Sequence, residues 1–216
     1  MRSLMQLCIN DYILTLLPEK AIYIPHMKAL AIADVHLGKA RHFRREGLPM
    51  PLSAQDNDYE RLAALIDKYS PQQVLFLGDL FHSTFNRDWD SFRALIERHQ
   101  HLNFVLLRGN HDIIDQQLFE TLGIEVLDAL SEGIFLFTHK PATNIPEGFI
   151  NLCGHLHPGV VLNGPARQRV RLACFYRQGA HFILPAFGSL TGLAIMEQKK
   201  GDSAFGILPE TVCRLF

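Results

Sequence analysis

The sequence predicts an α/β fold in which two sheets pack face to face and helices cover the outside. Three observations carry that prediction. Apolar runs alternate with amphipathic helical patterns as far as Gly123, the remainder reads as short strands without a long helix, and five of the apolar runs end in polar residues able to hold a metal.

Residues 7–9, 13–17, 21–24 and 29–33 read as strands, with Pro18 and Pro25 between them. A basic segment, residues 39–45, follows Asp34-Val35-His36-Leu37-Gly38 and is closed by Gly47, Pro49 and Pro51. As a helix it would place Arg41, Arg44 and Arg45 on one face, because positions three and four apart are neighbours. Ser53 offers an N-cap to a helix reaching about Tyr69, with Tyr59, Leu62, Leu65, Ile66 and Tyr69 at helical spacing. A strand over 74–77 and a second helix over 88–99, with Trp89, Phe92, Leu95 and Ile96 on its apolar side, complete a βαβ pattern. The run 104–107 is the next strand, and a short helix over 113–122 stops at Gly123. Residues 125–130, 134–138, 149–152, 169–176, 181–185, 193–196 and 204–208 then read as strands.

A chain of 216 residues can bury a core, and the absence of a polar linker or a repeat predicts one domain over 1–216. The 48% hydrophobic and 20% charged content excludes a disordered or collagen-like chain. With a formal net charge of -1, attraction for a polyanion must come from local patches. Cys8, Cys153, Cys174 and Cys213 form no C-x-x-C pair, which excludes a zinc knuckle and fits reduced thiols in the cytoplasm. No apolar run approaches the roughly 20 residues of a membrane span, so a soluble intracellular protein is expected.

Each of the five apolar runs delivers its polar residues just past the strand's carboxyl end, where open α/β sheets bind ligands. The run 29–33 leads to Asp34 and His36, 74–77 to Asp79 and His82, and 104–107 to Asn110, His111 and Asp112. The run 134–137 leads to His139, and 151–153 to His155 and His157. Two Asp, one Asn and four His form a mixed oxygen and nitrogen set suited to Mn, Fe or Zn, without the sulfur of a structural zinc site. Seven ligands are too many for one ion and, with one carboxylate bridging, supply two. Two ions about 3.5–4 Å apart clamp the attacking and leaving oxygens of an in-line displacement at phosphorus and generate hydroxide from water. The expected substrate is a phosphate ester.

Asp34-x-His36, Gly78-Asp79, Gly109-Asn110-His111-Asp112, His139 and Gly154-His155-x-His157 resemble the complete motif series of the calcineurin-like metallophosphoesterases. The resemblance implies a four-layer α/β/β/α sandwich of two packed mixed sheets, as a single metallophosphoesterase domain. It implies two divalent ions, Mn first with Fe or Zn as alternatives. Asp34, His36 and His157 would hold one, Asn110, His139 and His155 the other, and Asp79 would bridge. His111 would bind the phosphate and protonate the leaving oxygen, with Asp112 holding its imidazole. His82 resembles the histidine with which break-repair nucleases contact the phosphate, in place of the Asp-Arg-Gly continuation of protein phosphatases. Residues 34–39, 47–51, 78–83, 154–158 and 184–192 resemble the ligase-associated DNA damage response endonucleases (PdeM). That likeness implies an endonuclease acting on single-stranded DNA in repair, beside an ATP-dependent DNA ligase and a helicase.

Of the 11 histidines, His26, His42, His99, His101 and His181 fall outside the motifs and are expected to be solvated or packed. Lys39, Arg41, Arg44 and Arg45 are candidate phosphate contacts beside the metals, against the alternative of a solvated helix face. Phe43 and Phe85 lie near the motifs and could stack on bases. Ser189 and Thr191 read as turn residues, since no G-x-S-x-G elbow surrounds them. The rival enzyme reading is a small-molecule phosphodiesterase, which needs a closed pocket. The rival outside enzymes is a binding scaffold, disfavoured because no ligand and no proton donor is missing.

Overall fold

The computed structural model describes residues 4–50, 53–82 and 88–216, and the side chains of all of these except 53–55. The expected cap at Ser53 and the expected stacking by Phe85 lie outside that description. Two mixed sheets form the body. The first contains β1 (Met5–Ile9), β2 (Tyr12–Leu16), β3 (Ala21–Ile24), β4 (Ala29–Ile32), β5 (Gln73–Phe76), β6 (Asn103–Leu107) and β7 (Ile124–Leu127), in that spatial order. Strands β1 to β4 are antiparallel neighbours, whereas β4 to β7 run parallel. The second sheet contains β8 (Ala129–Glu132), β9 (Phe135–Thr138), β10 (Ile150–Cys153), β11 (Pro158–Asn163), β12 (Arg169–Gln178), β13 (His181–Ile183), β14 (Ala194–Ile195), β15 (Ser203–Leu208) and β16 (Thr211–Arg214). Within it β9, β10 and β13 are parallel.

The sheets share one apolar layer. Leu14, Leu16, Ala31, Leu75, Leu77, Val105 and Leu107 from the first meet Phe135, Phe137, Leu152, Phe175 and Phe182 from the second, all buried. On the opposite face of the first sheet lie α2 (Ser53–Tyr69), α3 (Asp88–Arg98) and α4 (Gln116–Thr121), which bring Leu62, Leu65, Phe92 and Phe119 onto Phe76 and Phe104. Strands buried on both faces read as continuous apolar runs, which is why β4, β5 and β6 carry no alternation. The helical cover is one-sided: the described α-helices all precede β7. The outer face of the second sheet, around Cys174, Tyr176 and Ile183, is covered by Leu156, Met196, Leu215 and Phe216 from strands and connections. Among the described residues this outer face carries no α-helix.

Three expectations need correction. Residues 125–130 are not one strand: β7 belongs to the first sheet and β8 to the second, and the chain crosses at Asp128. A continuous apolar-rich run cannot report a change of sheet. The short helix begins at Gln116, not 113, because Asp115 caps it by accepting the Gln117 N–H at 3.0 Å. Strands β11 and β16 lay outside the expected set. Pro158 and Gly159 mask the first, and the second is only four residues long.

Candidate active site

Every residue picked out at a strand end is delivered to the same edge. Asp34 and His36 follow β4, Asp79 and His82 follow β5, and Asn110, His111 and Asp112 follow β6. His139 follows β9, and His155 and His157 follow β10. The connections past β4 and β5 continue as a backbone ladder, in which the Asp34 N–H donates to Gly78 O (3.2 Å), His36 to Asp79 O (2.9 Å) and His82 to Leu37 O (2.9 Å). The chain then turns sharply to aim the side chains. Asp34, His36, Asp79, His155 and His157 all have positive φ, from 48° to 69°. That left-handed conformation costs a non-glycine residue on the order of 1–3 kcal/mol and persists only where surroundings over-determine it.

Two glycines let the loops approach. A Cβ on Gly78 would lie 2.3 Å from His139 Nδ1, and one on Gly109 would lie 2.2 Å from the Asp79 N. The Gly-Asp and Gly-Asn-His motifs therefore carry glycine where backbone and ligand must touch.

Two groups of ligand atoms result, Asp34–His36–His157 and Asp79–His139–His155, each with its atoms within 4.8 Å of one another. Asp79 faces both. Its Oδ1 is 3.5 Å from His139 Nε2 and its Oδ2 is 3.8 Å from His36 Nε2. In the second group, His139 Nδ1 sits 2.9 Å from Leu77 O and so carries the proton, leaving Nε2 with a lone pair. That lone pair faces Asn110 Oδ1 at 3.0 Å and His155 Nδ1 at 3.1 Å. Lone pairs and carboxylate oxygens pointed at one spot repel until a cation sits between them. In the first group Asp34 Oδ1, His36 Nε2 and His157 Nε2 are buried without a hydrogen-bond partner among the described residues. Orphaned buried acceptors of this kind are rare and costly. Both groups fit divalent ions.

Three of these histidines, His36, His82 and His155, are held neutral. Burial, then the Lys39 ammonium and the neighbouring imidazoles, push His36 down to about 2, and burial with Lys39 and His111 pushes His82 down to about 4. Burial followed by His139 and Lys140 also lowers His155. A neutral imidazole is the form that ligates metal. His82 and His36 face each other through Nδ1 at 3.4 Å, and His82 stacks on His111 with ring centroids 5.3 Å apart. His111 is anchored by its N–H, which donates to Asp79 Oδ1 at 2.8 Å.

Asp112 has an occupation other than the expected one. Its carboxylate accepts the N–H groups of Asp79 (2.8 Å), Leu80 (2.8 Å), Phe81 (3.2 Å) and Gly109 (2.9 Å), and no hydrogen bond among the described residues joins it to the His111 ring. Enclosure pushes its carboxyl up while those amides pull it down. The reason is placement: the donors within reach are backbone amides at the end of the neighbouring strand. Asp112 fastens the Asp79 loop to the Gly109 loop.

The basic segment is the helix α1 (Lys39–Arg45), but its cations do not act together. Arg41 Nε donates to Asp88 Oδ1 at 2.9 Å and pins α1 to α3, so its guanidinium is already engaged. Lys39 is half-buried, close enough to Asp34 and Asp79 to feel both carboxylates, and burial lowers its pKa. Arg44 and Arg45 are exposed. His42, expected to be a bystander, lies 5.1 Å from His82, and Phe43 lies 5.8 Å from the same ring. The amphipathic spacing of α1 held no signal for that approach.

Two supports also went unread. From α2, Asp58 accepts the Ser189 N–H (2.9 Å) and hydroxyl (2.6 Å) and pairs with Arg61 at 2.9 Å. The Arg61 guanidinium lies 4.0 Å over the Phe187 ring and donates to Phe187 O. Residues 186–188 in turn run against the first ligand loop, with Phe187 N–H donating to Ala33 O (2.8 Å) and Gly188 N–H to Asp34 O (3.1 Å). The stretch 184–192 is therefore the backing of the Asp34–His36 loop, and Ser189 and Thr191 are turn residues as expected. In the second sheet Asn151, fully buried, accepts the Ala142 N–H at 2.9 Å and donates to Leu136 O (2.9 Å) and Thr138 Oγ1 (2.8 Å). It fixes the turn after His139.

The comparisons with known proteins agree with this geometry. Residues 27–166 match the family model described as calcineurin-like phosphoesterase. Among solved structures, the nuclease MPE of Pseudomonas putida is 30% identical with a TM-score of 0.81, covering 99% of this chain and 100% of its own. Yfce, a phosphoesterase from E. coli, is 17% identical with a TM-score of 0.42, covering 82% of this chain and 86% of its own. Comparison with curated proteins gives no match. No helix among the described residues is long and apolar enough to cross a membrane. By its motifs, its matched family model and its nuclease neighbour, the chain belongs to the calcineurin-like phosphoesterases and is a metal-dependent phosphoester hydrolase.

Proposed function

We propose that residues 1–216 form one catalytic domain that cuts phosphodiesters of single-stranded DNA endonucleolytically, in a cytoplasmic repair setting beside a DNA ligase and a helicase. The observation that carries the dinuclear reading is the split of Asp79, one oxygen toward His139 and the other toward His36. Asp34, His36 and His157 would hold one divalent ion, Asn110, His139 and His155 the other, with Asp79 shared; Mn suits this oxygen and nitrogen set. When bound, the pair supplies a hydroxide nucleophile and neutralises charge at phosphorus.

The chain's own residues do the rest. His111, whose ring packs beside His36 and His82, is the residue that would contact the phosphate and give a proton to the departing oxygen. His82, neutral and stacked on it, offers a ring nitrogen to the same phosphate. Asp112 acts through the Asp79 loop as a positioning residue. Lys39, beside the Asp34 and Asp79 carboxylates, and the exposed Arg44 and Arg45 further along α1 would meet the phosphates of a longer strand, while Arg41 holds α1 in place. Support for a nucleic acid comes from the P. putida nuclease, which resembles this chain over its full length.

The test is hydrolysis by the Mn-loaded protein of bis-p-nitrophenyl phosphate, p-nitrophenyl phosphate and labelled single-stranded, nicked and duplex DNA. The expected result is cleavage of the diester and of single-stranded DNA. His111→Ala should retain its metals and lose on the order of 10²- to 10⁴-fold in kcat. Diester cleavage without DNA cleavage would replace this reading with a small-molecule phosphodiesterase.

A further inference from the structure

A cleft of about 370 Å³ adjoins the second ligand group, past the ends of β6 and β9, lined by Arg108, Asn110, Asp128, Thr138, His139 and Lys140. Two of these residues are candidate ligands and two are cations. We propose that Lys140, with Arg108, forms a second phosphate-binding subsite that receives a backbone phosphate of the nucleic acid beyond the scissile one. This rests on the nuclease reading above and sharpens it: the strand would lie across the metals, with contacts at both α1 and Lys140.

The chemistry favours a phosphate over a structural role. Lys140 is exposed, and no hydrogen bond or ion pair engages its ammonium among the described residues. Its backbone is nevertheless fixed. The Thr138 hydroxyl donates to Lys140 O at 2.6 Å, and that hydroxyl accepts from the buried Asn151 at 2.8 Å. The same Asn151 Oδ1 lies 3.1 Å from His181 Nδ1, so the turn is tied to β13 as well. A free cation on a rigid mount, immediately after the candidate ligand His139, can reach a ligand without ordering any backbone, the cost being that of its own side chain.

Arg108 precedes Gly109-Asn110, and its backbone N–H extends the sheet by donating to Leu127 O at 2.8 Å. Its guanidinium touches Gln116 and lies 3.8 Å from Asp128, a carboxylate 92% exposed. An ion pair that wet is worth little, so a phosphate can replace it. Among the described residues Asp128 is the one carboxylate lining the cleft, and two cations outweigh it. A small phosphodiester has no second phosphate to place there, whereas a polynucleotide has one every nucleotide.

The experiment uses a labelled single-stranded oligonucleotide of about 20 nucleotides, with one neutral methylphosphonate linkage moved stepwise past the cleavage site. Single-turnover cleavage by the Mn-loaded wild type is compared with Lys140→Ala, Lys140→Arg and Arg108→Ala. One position should cost the wild type about tenfold in kcat/KM, and at that position Lys140→Ala should suffer no further loss. The alanine variant should also bind with a salt slope smaller by about 0.7, one phosphate contact on a single strand, and Lys140→Arg should restore both. Parallel profiles for wild type and Lys140→Ala would overturn the subsite while leaving the nuclease reading intact. A wild type that hydrolyses bis-p-nitrophenyl phosphate but leaves every oligonucleotide whole would instead overturn the nuclease reading, and the subsite with it.

Discussion

The two ligand groups converge on Asp79 but are built by different means. In the second, side chains hold one another: His139 is tethered to Leu77 O, and its Nε2 lies within 3.1 Å of both Asn110 and His155. In the first, all three residues, Asp34, His36 and His157, sit in left-handed backbone, and their ligand atoms have no other hydrogen-bond partner among the described residues. Left-handed turns also occur in the second group, at Asp79 and His155, but there the side chains order one another, whereas the first group relies on loops braced from behind. The first should therefore depend more on distant supports and more on the metal itself.

Asp79 is where the comparison breaks down, since its two oxygens face both groups. Asp79→Ala should empty both metal positions and cut kcat by on the order of 10³-fold or more. Asp34→Ala, by contrast, should remove metal from the first position alone. Metal stoichiometry of the purified variants, by elemental analysis beside the activity, decides it. Equal loss from both variants would mean that the two groups are a single cooperative site.

The same contrast was only half legible in the sequence. Residue types at the ends of the apolar runs picked out Asp34, His36, Asp79, Asn110, His139, His155 and His157 as candidate ligands, and the fold brings them to one edge, because strand periodicity fixes where a run ends. What the runs could not show were contacts between segments distant in the chain. Asp58 and Ser189 are 131 residues apart, and Arg61 reads locally as an ordinary polar position on α2. Asp112 misled for a related reason: adjacency to His111 suggested a side-chain partnership, whereas the fold presented backbone amides of another strand end. The two-sheet architecture followed from the order of patterns. The crossing at Asp128 did not, since a single residue separates β7 from β8 and the sheet each joins is set by neighbours distant in the chain.

A second prediction exploits the histidines. In the metal-free fold His36 is pushed down to about 2 and His82 to about 4, against 6.5 in an unfolded chain. Between those limits the unfolded chain binds protons that the folded one refuses, so this contribution to stability is complete above about pH 6.5 and is lost as pH falls. From pH 6.5 to 5 the His36 contribution alone amounts to about 2 kcal/mol at 1.36 kcal/mol per pH unit, with less from the half-exposed His82. Urea unfolding of the chelator-treated protein should show a midpoint that drops over that interval. A midpoint independent of pH would mean that the first group relaxes when metal is absent, instead of standing as an unfilled frame.

The smallest expected effect tests the bracing directly. Asp58 is 5% exposed, grips Ser189 through both oxygens and pairs with Arg61, while residues 187 and 188 hydrogen-bond to Ala33 and Asp34. Nothing in this chain of contacts touches a ligand atom; it acts on the backbone that holds Asp34 and His36 in left-handed geometry. Ser189→Ala removes the hydroxyl but keeps the N–H bond, and Asp58→Asn keeps the shape but weakens the pairing with Arg61. Supports of this kind tune metal affinity by roughly 10- to 100-fold when lost. Asp58→Asn should weaken one metal equivalent by about tenfold at the lower end of that range, leave the other in place, and regain activity at high Mn; Ser189→Ala should do less. Competition titration with a chelating dye resolves the two equivalents. If both weakened together, or if melting temperature fell with neither affected, the bracing would serve the fold in general and the two groups would not differ in the way their geometry implies.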